Sequence, residues 1–110
     1  MKKKKITVSI DSTYKYIQLW NGIFNLTDKE LTILAAFIDV NNITEEVNLC
    51  SIRNKKEVAR MVGIKDYNTL NNYVKKLKDK NAIELTNDGY KLHRLLRNEE
   101  NVTVTVVRGG

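Results

Sequence analysis

The sequence predicts an α+β fold of three to four helices and a β-hairpin, with additional N- and C-terminal β-strands. Three observations predict it. Apolar residues recur at helical spacing in several stretches between positions 12 and 80. Short alternating runs flank Asn87-Asp88-Gly89, and a DG turn between such runs is a strong hairpin signal. Each end of the chain carries a further alternating run, at residues 6–11 and 102–107.

Taken in order, Ile6, Val8 and Ile10 alternate with Thr7 and Ser9, the pattern of a half-buried strand. Ser12 or Thr13 can cap a helix reaching about Asn25, with Tyr16, Ile17, Trp20, Ile23 and Phe24 on one face. Trp20, Phe24 and Phe37 have aliphatic neighbours at helical spacing, so they read as core rather than as base-stacking platforms. The best-marked start is Leu26-Thr27-Asp28-Lys29-Glu30-Leu31. There Thr27 and Glu30 can form a capping box, and Leu26 and Leu31 stand at the staple positions. This helix is expected to run to about Val40, with Leu31, Leu34, Ala35 and Ile38 inward, and to end in Asn41-Asn42.

A polar connector leads to a short helix from Ser51 or Asn54 that stops at Gly63, where glycine suits the left-handed position after a helix. A second helix begins near Asp66 and reaches about Lys80, with Leu70, Val74 and Leu77 inward and Tyr73 at the margin. Ala82-Ile83-Glu84-Leu85 and Tyr90-Lys91-Leu92 are the hairpin strands, and residues 93–101 hold at most a helical turn. The two terminal strands match in length and alternation. They can pair with each other and tie down both ends, or add to neighbouring subunits to build a dimer or ring.

Length and composition narrow the function. A chain of 110 residues without repeats, proline or a linker is one domain. A single cysteine, Cys50, excludes an internal disulfide and a cysteine-rich zinc site; it reads as a small buried hydrophobe in a reducing compartment. The one histidine, His93, reads as a surface or hairpin-edge residue with no ligand role. Paired carboxylates, a nucleophile motif and a Gly-rich phosphate loop are all missing from the sequence. The chain is therefore expected not to be an enzyme, with no catalytic residue, cofactor or metal. No apolar stretch approaches the ~18 residues of a membrane span, so no membrane partner is expected. The basic start lacks the apolar segment of a signal peptide and reads as that of a mature intracellular chain.

Charge points toward a polyanion. The net charge is +6, and its distribution is uneven. Residues 6–50 hold two bases and six acids, whereas residues 53–97 hold twelve bases and five acids. One part of the molecule is electropositive, as a nucleic-acid footprint requires. The lysine run at residues 2–5 can add sequence-independent affinity through counterion release, or serve solubility alone.

The order helix, helix, turn, helix, hairpin carries a resemblance. Residues 57–64, EVARMVGI, followed by residues 69–77, TLNNYVKKL, resemble a winged helix-turn-helix of the small bacterial and phage DNA-binding type. Ala59 matches the small residue where the two helices cross, and Gly63, four residues on, matches the turn; Val58, Val62 and Ile64 fill the surrounding apolar positions. Leu70 comes one position later than in the tightest version, which implies a turn longer by one residue. Residues 77–85, LKDKNAIEL, resemble the exit from a recognition helix into the first wing strand.

This resemblance implies one domain over residues 1–110: a basic tail at 1–5, the helix-turn-helix at 51–80 and the wing at 82–92. It implies double-stranded DNA as partner, with helix 66–80 in the major groove. The base-contact candidates are then Tyr67, Asn68, Thr69, Asn71 and Asn72, since asparagine can pair with adenine N6 and N7. The phosphate-contact candidates are Lys55, Lys56, Arg60, Lys65, Lys75, Lys76, Lys91 and Arg94, with Arg53 also on the first helix of the pair. Lys55 and Lys56 oppose the dipole at a helix start unless an anion offsets them. Asp88 at the wing tip argues against deep minor-groove insertion. The expected role is a transcriptional regulator or phage DNA-associated protein, a homodimer or higher homo-oligomer. Its place would be the cytoplasm of a bacterial cell or phage-infected host, or the virion. The alternative is a phage structural protein that uses the same scaffold to pack against other phage proteins.

Overall fold

The computed structural model describes residues 10–97. Its elements are helices α1 (Ile10–Gln18), α2 (Asn21–Phe24), α3 (Asp28–Thr44) and α4 (Ile52–Val62), a 3₁₀ turn (Tyr67–Thr69) and helix α5 (Leu70–Asp79). Strands β1 (Ile83–Thr86) and β2 (Gly89–Leu92) and a last 3₁₀ turn (Arg94–Leu96) complete the order. The fold is α+β, mostly helical, with one two-stranded antiparallel hairpin. Residues 2–5, strand segment 6–9 and the predicted strand 102–107 lie outside the described residues.

The core forms around α3. Thr27 Oγ1 accepts from the Glu30 amide at 3.1 Å and Glu30 Oε1 accepts from the Thr27 amide at 2.9 Å, so the predicted capping box sets this helix start. Its residues are buried over more than one face: Ile33, Ala36 and Phe37 are as enclosed as Leu34 and Ala35, while Ile38 is only half-buried. The reason is that α1, α4 and α5 all pack on it. Truncating Phe37 to Ala would remove a fully buried ring, a change that costs about 3–5 kcal/mol.

Five differences from the sequence reading have local causes. Ile10 and Asp11 begin α1 and are not strand residues. Ile10 stands seven residues before Ile17, a spacing two helical turns accept as readily as a strand accepts Ile6, Val8 and Ile10. The helix predicted to reach Asn25 breaks at Leu19-Trp20. There the Asn21 side chain holds both the amide and the carbonyl of Leu26 (2.7 and 2.9 Å), and Asn25 turns left-handed at φ 57°. The break shifts the helical phase, which leaves Ile23 62% exposed instead of inward.

The third difference is the end of α3, which passes Asn41-Asn42 to Thr44. Asn41 is held inside the helix because its Oδ1 accepts from the Asn54 side chain (2.8 Å) and the Glu46 amide (3.1 Å). Fully buried Asn54 is the hub of this junction: it also donates to the Leu49 carbonyl and accepts from the Thr44 hydroxyl, 2.9 and 2.8 Å away. The fourth is the hairpin turn. Thr86 pairs with Gly89, so the loop is Asn87-Asp88 and the positive φ, 113°, falls on Gly89 as the first residue of β2.

The helix expected from Asp66 to about Lys80 is the fifth: it opens instead as the 3₁₀ turn Tyr67–Thr69, because the Asp66 carboxylate takes the Asn68 amide, and is α-helical only over Leu70–Asp79. Ser51 caps α4, its Oγ accepting from the Asn54 amide at 3.1 Å, and Gly63 ends it at φ 79°. Leu70, Val74 and Leu77 are buried on α5. Trp20 packs half-buried against the core, and Phe24 is buried within it. His93 caps the last 3₁₀ turn through Nδ1 (3.0 Å to the Leu95 amide), and its ring meets Phe24 edge-on at 5.1 Å. No helix among the described residues is long and apolar enough to cross a membrane.

Candidate nucleic-acid interface

Helix α4 and the Tyr67–Asp79 stretch bring most of the predicted residues to one corner of the molecule. The Gly63 turn reverses the chain, with the Ile64 amide bonded to the Ala59 carbonyl at 2.8 Å. Buried Val58 and Ala59 then let α4 pack beside the following 3₁₀ turn. That turn starts at Asp66, whose carboxylate accepts from the Asn68 amide at 2.9 Å. Tyr67, Asn68 and Thr69 therefore lie on a tight 3₁₀ turn, and Asn71 and Asn72 on the first turn of the α-helix proper. Asn68, Thr69, Asn71 and Asn72 are exposed, whereas Tyr67 is half-buried.

Two contacts cross from α4 to this stretch. Lys55 Nζ donates to Asn71 Oδ1 at 2.9 Å, and Lys56 Nζ stands 5.6 Å from the centre of the Tyr67 ring, within cation–π reach. These two lysines sit in the first turns of a helix with no acidic residue in its first turn. Their contacts offset part of the dipole cost.

The charges of residues 51–80 are lopsided: nine bases against Glu57, Asp66 and Asp79. Each acid is already engaged. Glu57 pairs with Arg60, Asp79 with Lys75 at 3.4 Å, and Asp66 caps the 3₁₀ turn. Arg53 turns away to Glu46, 3.2 Å distant. Lys56, Lys65 and Lys78 have no acidic partner among the described residues. Exposed Lys76 contributes to the field that lowers the Glu30 pKa.

The structure does not bring Lys91 and Arg94 into this corner through any hydrogen bond or ion pair among the described residues. Lys91 lies opposite Glu84 in the hairpin register and lines a separate groove of about 820 Å³ with Thr13, Tyr16, Asn42 and Tyr90. Arg94 is exposed on the last 3₁₀ turn.

Several structural residues carry no signal in the sequence pattern. Asn48 Oδ1 accepts from the Tyr90 amide (2.8 Å) and the Cys50 amide (3.0 Å), which fastens the hairpin to the connector. The Leu49 amide adds a bond to the Tyr90 carbonyl at 2.9 Å. Cys50 itself is buried, and burial pushes its thiol up to about 12 against the weaker pull of Lys55. The thiol therefore stays protonated and enclosed at neutral pH.

No protein-family model, curated protein or solved structure matches the chain.

Proposed function

We propose that the chain is a winged helix-turn-helix domain that binds double-stranded DNA without catalysis, as a transcriptional regulator or a phage DNA-associated protein. In this reading α4 and α5 form the helix pair, the Tyr67–Asp79 stretch enters the major groove, and β1–β2 is the wing. One observation carries it. The exposed Asn68, Thr69, Asn71 and Asn72 share a corner with lysines that no acid neutralises, and α4 reaches across to that corner through Lys55 and Lys56. Neutral donor–acceptor side chains beside lysines without an acidic partner suit base edges flanked by phosphates.

The experiment is fluorescence anisotropy of a mixed-sequence duplex titrated with the protein at two salt concentrations. Binding that weakens steeply with salt is the expected result, since each neutralised phosphate releases counterion. Absence of binding at low salt would overturn the reading.

A second reading, protein assembly within a phage particle, is favoured by the apolar residues where α3 hands over to α4. Ile43, Val47 and Ile52 are 83%, 65% and 58% exposed. An assembly role, or the homodimer that the DNA reading includes, would show as a mass above the monomer by light scattering. A monomer at every concentration would remove both.

A further inference from the structure

We infer that the groove between α1, the end of α3, the connector and β2 is a binding site for a small amphipathic carboxylate, an aliphatic chain with one anionic head. The inference stands apart from DNA binding, because none of the residues that line the groove belongs to the corner formed by α4 and the Tyr67–Asp79 stretch. A volume of about 820 Å³ lies within the ~300–1,000 Å³ of small-molecule sites. Its apolar walls come from four separate elements: Ile38 of α3, Leu49 of the connector, Leu92 of β2 and Leu96 of the last 3₁₀ turn. Leu49 and Leu96 are buried and the other two half-buried, so the fold holds these walls in place. The Leu49 amide bonded to the Tyr90 carbonyl at 2.9 Å fastens the connector to the hairpin across the groove. An aliphatic surface of fixed shape suits an acyl chain.

The charges in the groove set the sign of the head. Lys91 and Arg97 both line it, both are half-buried, and neither has an acidic partner among the described residues. Arg97 Nε donates to the Leu92 carbonyl at 3.0 Å, which orients the guanidinium and leaves its two terminal nitrogens, a pair that can grip both oxygens of a carboxylate. Glu46 is the acid in the lining, and it is paired with Arg53 at 3.2 Å. Lys91 is also the basic residue of the hairpin that no contact draws into the α4–α5 corner, and the groove gives it a partner of its own. Half-buried cations without a counter-charge, beside an aliphatic wall, fit a ligand that brings an anion and an apolar body together.

The test is an amide NMR titration of the full chain with octanoate, hexanoate, acetate and uncharged octanol. Octanoate is expected to shift the amides of Leu49, Tyr90, Lys91 and Leu92 with a saturable one-site profile. Affinity should rise about two- to fourfold per methylene from acetate to octanoate, and octanol should bind about tenfold more weakly than octanoate. Lys91→Met should weaken octanoate by about tenfold and leave octanol unchanged, and Lys91→Arg should restore the difference. Lys29→Met, at an exposed lysine of the α3 start outside the groove, should bind as the wild type does. Circular dichroism melts establish that each variant folds. Equal binding of octanoate and octanol would overturn the inference, as would shifts confined to another face or a loss in Lys29→Met equal to that in Lys91→Met. No binding of millimolar octanoate by the wild type would also overturn it. If Glu99→Gln with Glu100→Gln then binds octanoate, the cations serve the carboxylates that follow Arg97 in the chain itself, and no separate ligand is taken.

Discussion

Lys80 Nζ lies 2.7 Å from Glu30 Oε1, the same oxygen that receives the Thr27 amide in the capping box of α3. It also donates to the Asn25 carbonyl at 3.0 Å. The residue after α5 is thereby fastened to the junction of α2 and α3, fifty residues earlier in the chain. The far end of the candidate recognition helix is held by one half-buried ion pair and one backbone bond.

Lys80→Ala would leave the buried Glu30 carboxylate with the Thr27 amide and the weaker field of Lys76. The expected cost is about 1–3 kcal/mol, between the values for exposed and buried pairs. The cost should depend on pH. Burial pushes the Glu30 carboxyl up, but the Lys80 ammonium and the Thr27 amide outweigh it and hold the pKa below the ordinary value. A lowered carboxylate stabilises the fold above its unfolded pKa and loses that contribution as pH falls through the folded one. Urea melts of wild type and variant should therefore converge in acid. A gap unchanged between pH 7 and the acid end would dissociate Lys80 from Glu30.

Asp39 behaves in the opposite sense. It is a buried carboxylate on α3 that joins α1 through the Thr13 hydroxyl, 2.5 Å from Oδ1, while Oδ2 is enclosed without a partner. Burial raises its pKa, and the Thr13 bond only partly opposes this. With the folded pKa above the unfolded one, stability is greatest below the unfolded value and declines as pH rises through the folded value. Asp39→Asn removes the buried charge and keeps an acceptor for Thr13. Its Tm should exceed that of the wild type by roughly 2–5 °C at pH 7 and match it below about pH 4. A variant less stable at pH 7 would show that the charge has a compensation the Thr13 bond does not supply.

Gly89 and Gly22 make a matched pair of tests. A Cβ on Gly89 would fall 2.5 Å from Asn48 Cγ and 2.6 Å from Asn48 Cβ, at a backbone φ of 113°. Moving Asn48 would strain the bonds it accepts from Tyr90 and Cys50, so Gly89→Ala should cost about 2–4 kcal/mol. Gly22 lies in α2 with nothing within 4 Å of the added carbon, so Gly22→Ala should stabilise by about 0.5–1 kcal/mol. Thermal melts of the two variants should move in opposite directions. A Gly89→Ala protein as stable as the wild type would mean that Asn48 does not anchor the hairpin.

What the sequence made legible was local chemistry. The Thr27–Glu30 box, the Ser51 cap and the Gly63 stop each depend on residues within a few positions, so spacing revealed them. The exposed asparagines of α5 were legible for the same reason, as the outer side of an apolar stripe. The Asn54 hub and the Lys80 clasp were not, because their partners come from other elements and polar residues carry no periodic signature. The Lys55–Asn71 bond spans sixteen residues and two helices, so only their packing discloses it. The break at Leu19-Trp20 escaped for another reason. The apolar pattern runs unbroken to Phe24, while Asn21 bonding to Leu26 decides the geometry.

Asn68 and Asn72 separate base reading from folding. Both are exposed and neither side chain has a hydrogen-bond partner among the described residues, so alanine at either position removes no side-chain hydrogen bond. Melting temperatures of Asn68→Ala and Asn72→Ala should stay within about 2 °C of the wild type, as for surface substitutions that shift stability by no more than ~0.5 kcal/mol. If they read bases, each should lower discrimination between preferred and random duplexes by about fivefold or more while changing the salt slope little. Lys65→Ala, beside them on the turn, should do the reverse, weakening all duplexes alike and reducing the slope by about 1. Competition titrations with preferred and random duplexes measure both quantities at once. If the asparagine and lysine variants lose affinity in the same sequence-independent way, the corner binds the DNA backbone and does not read it.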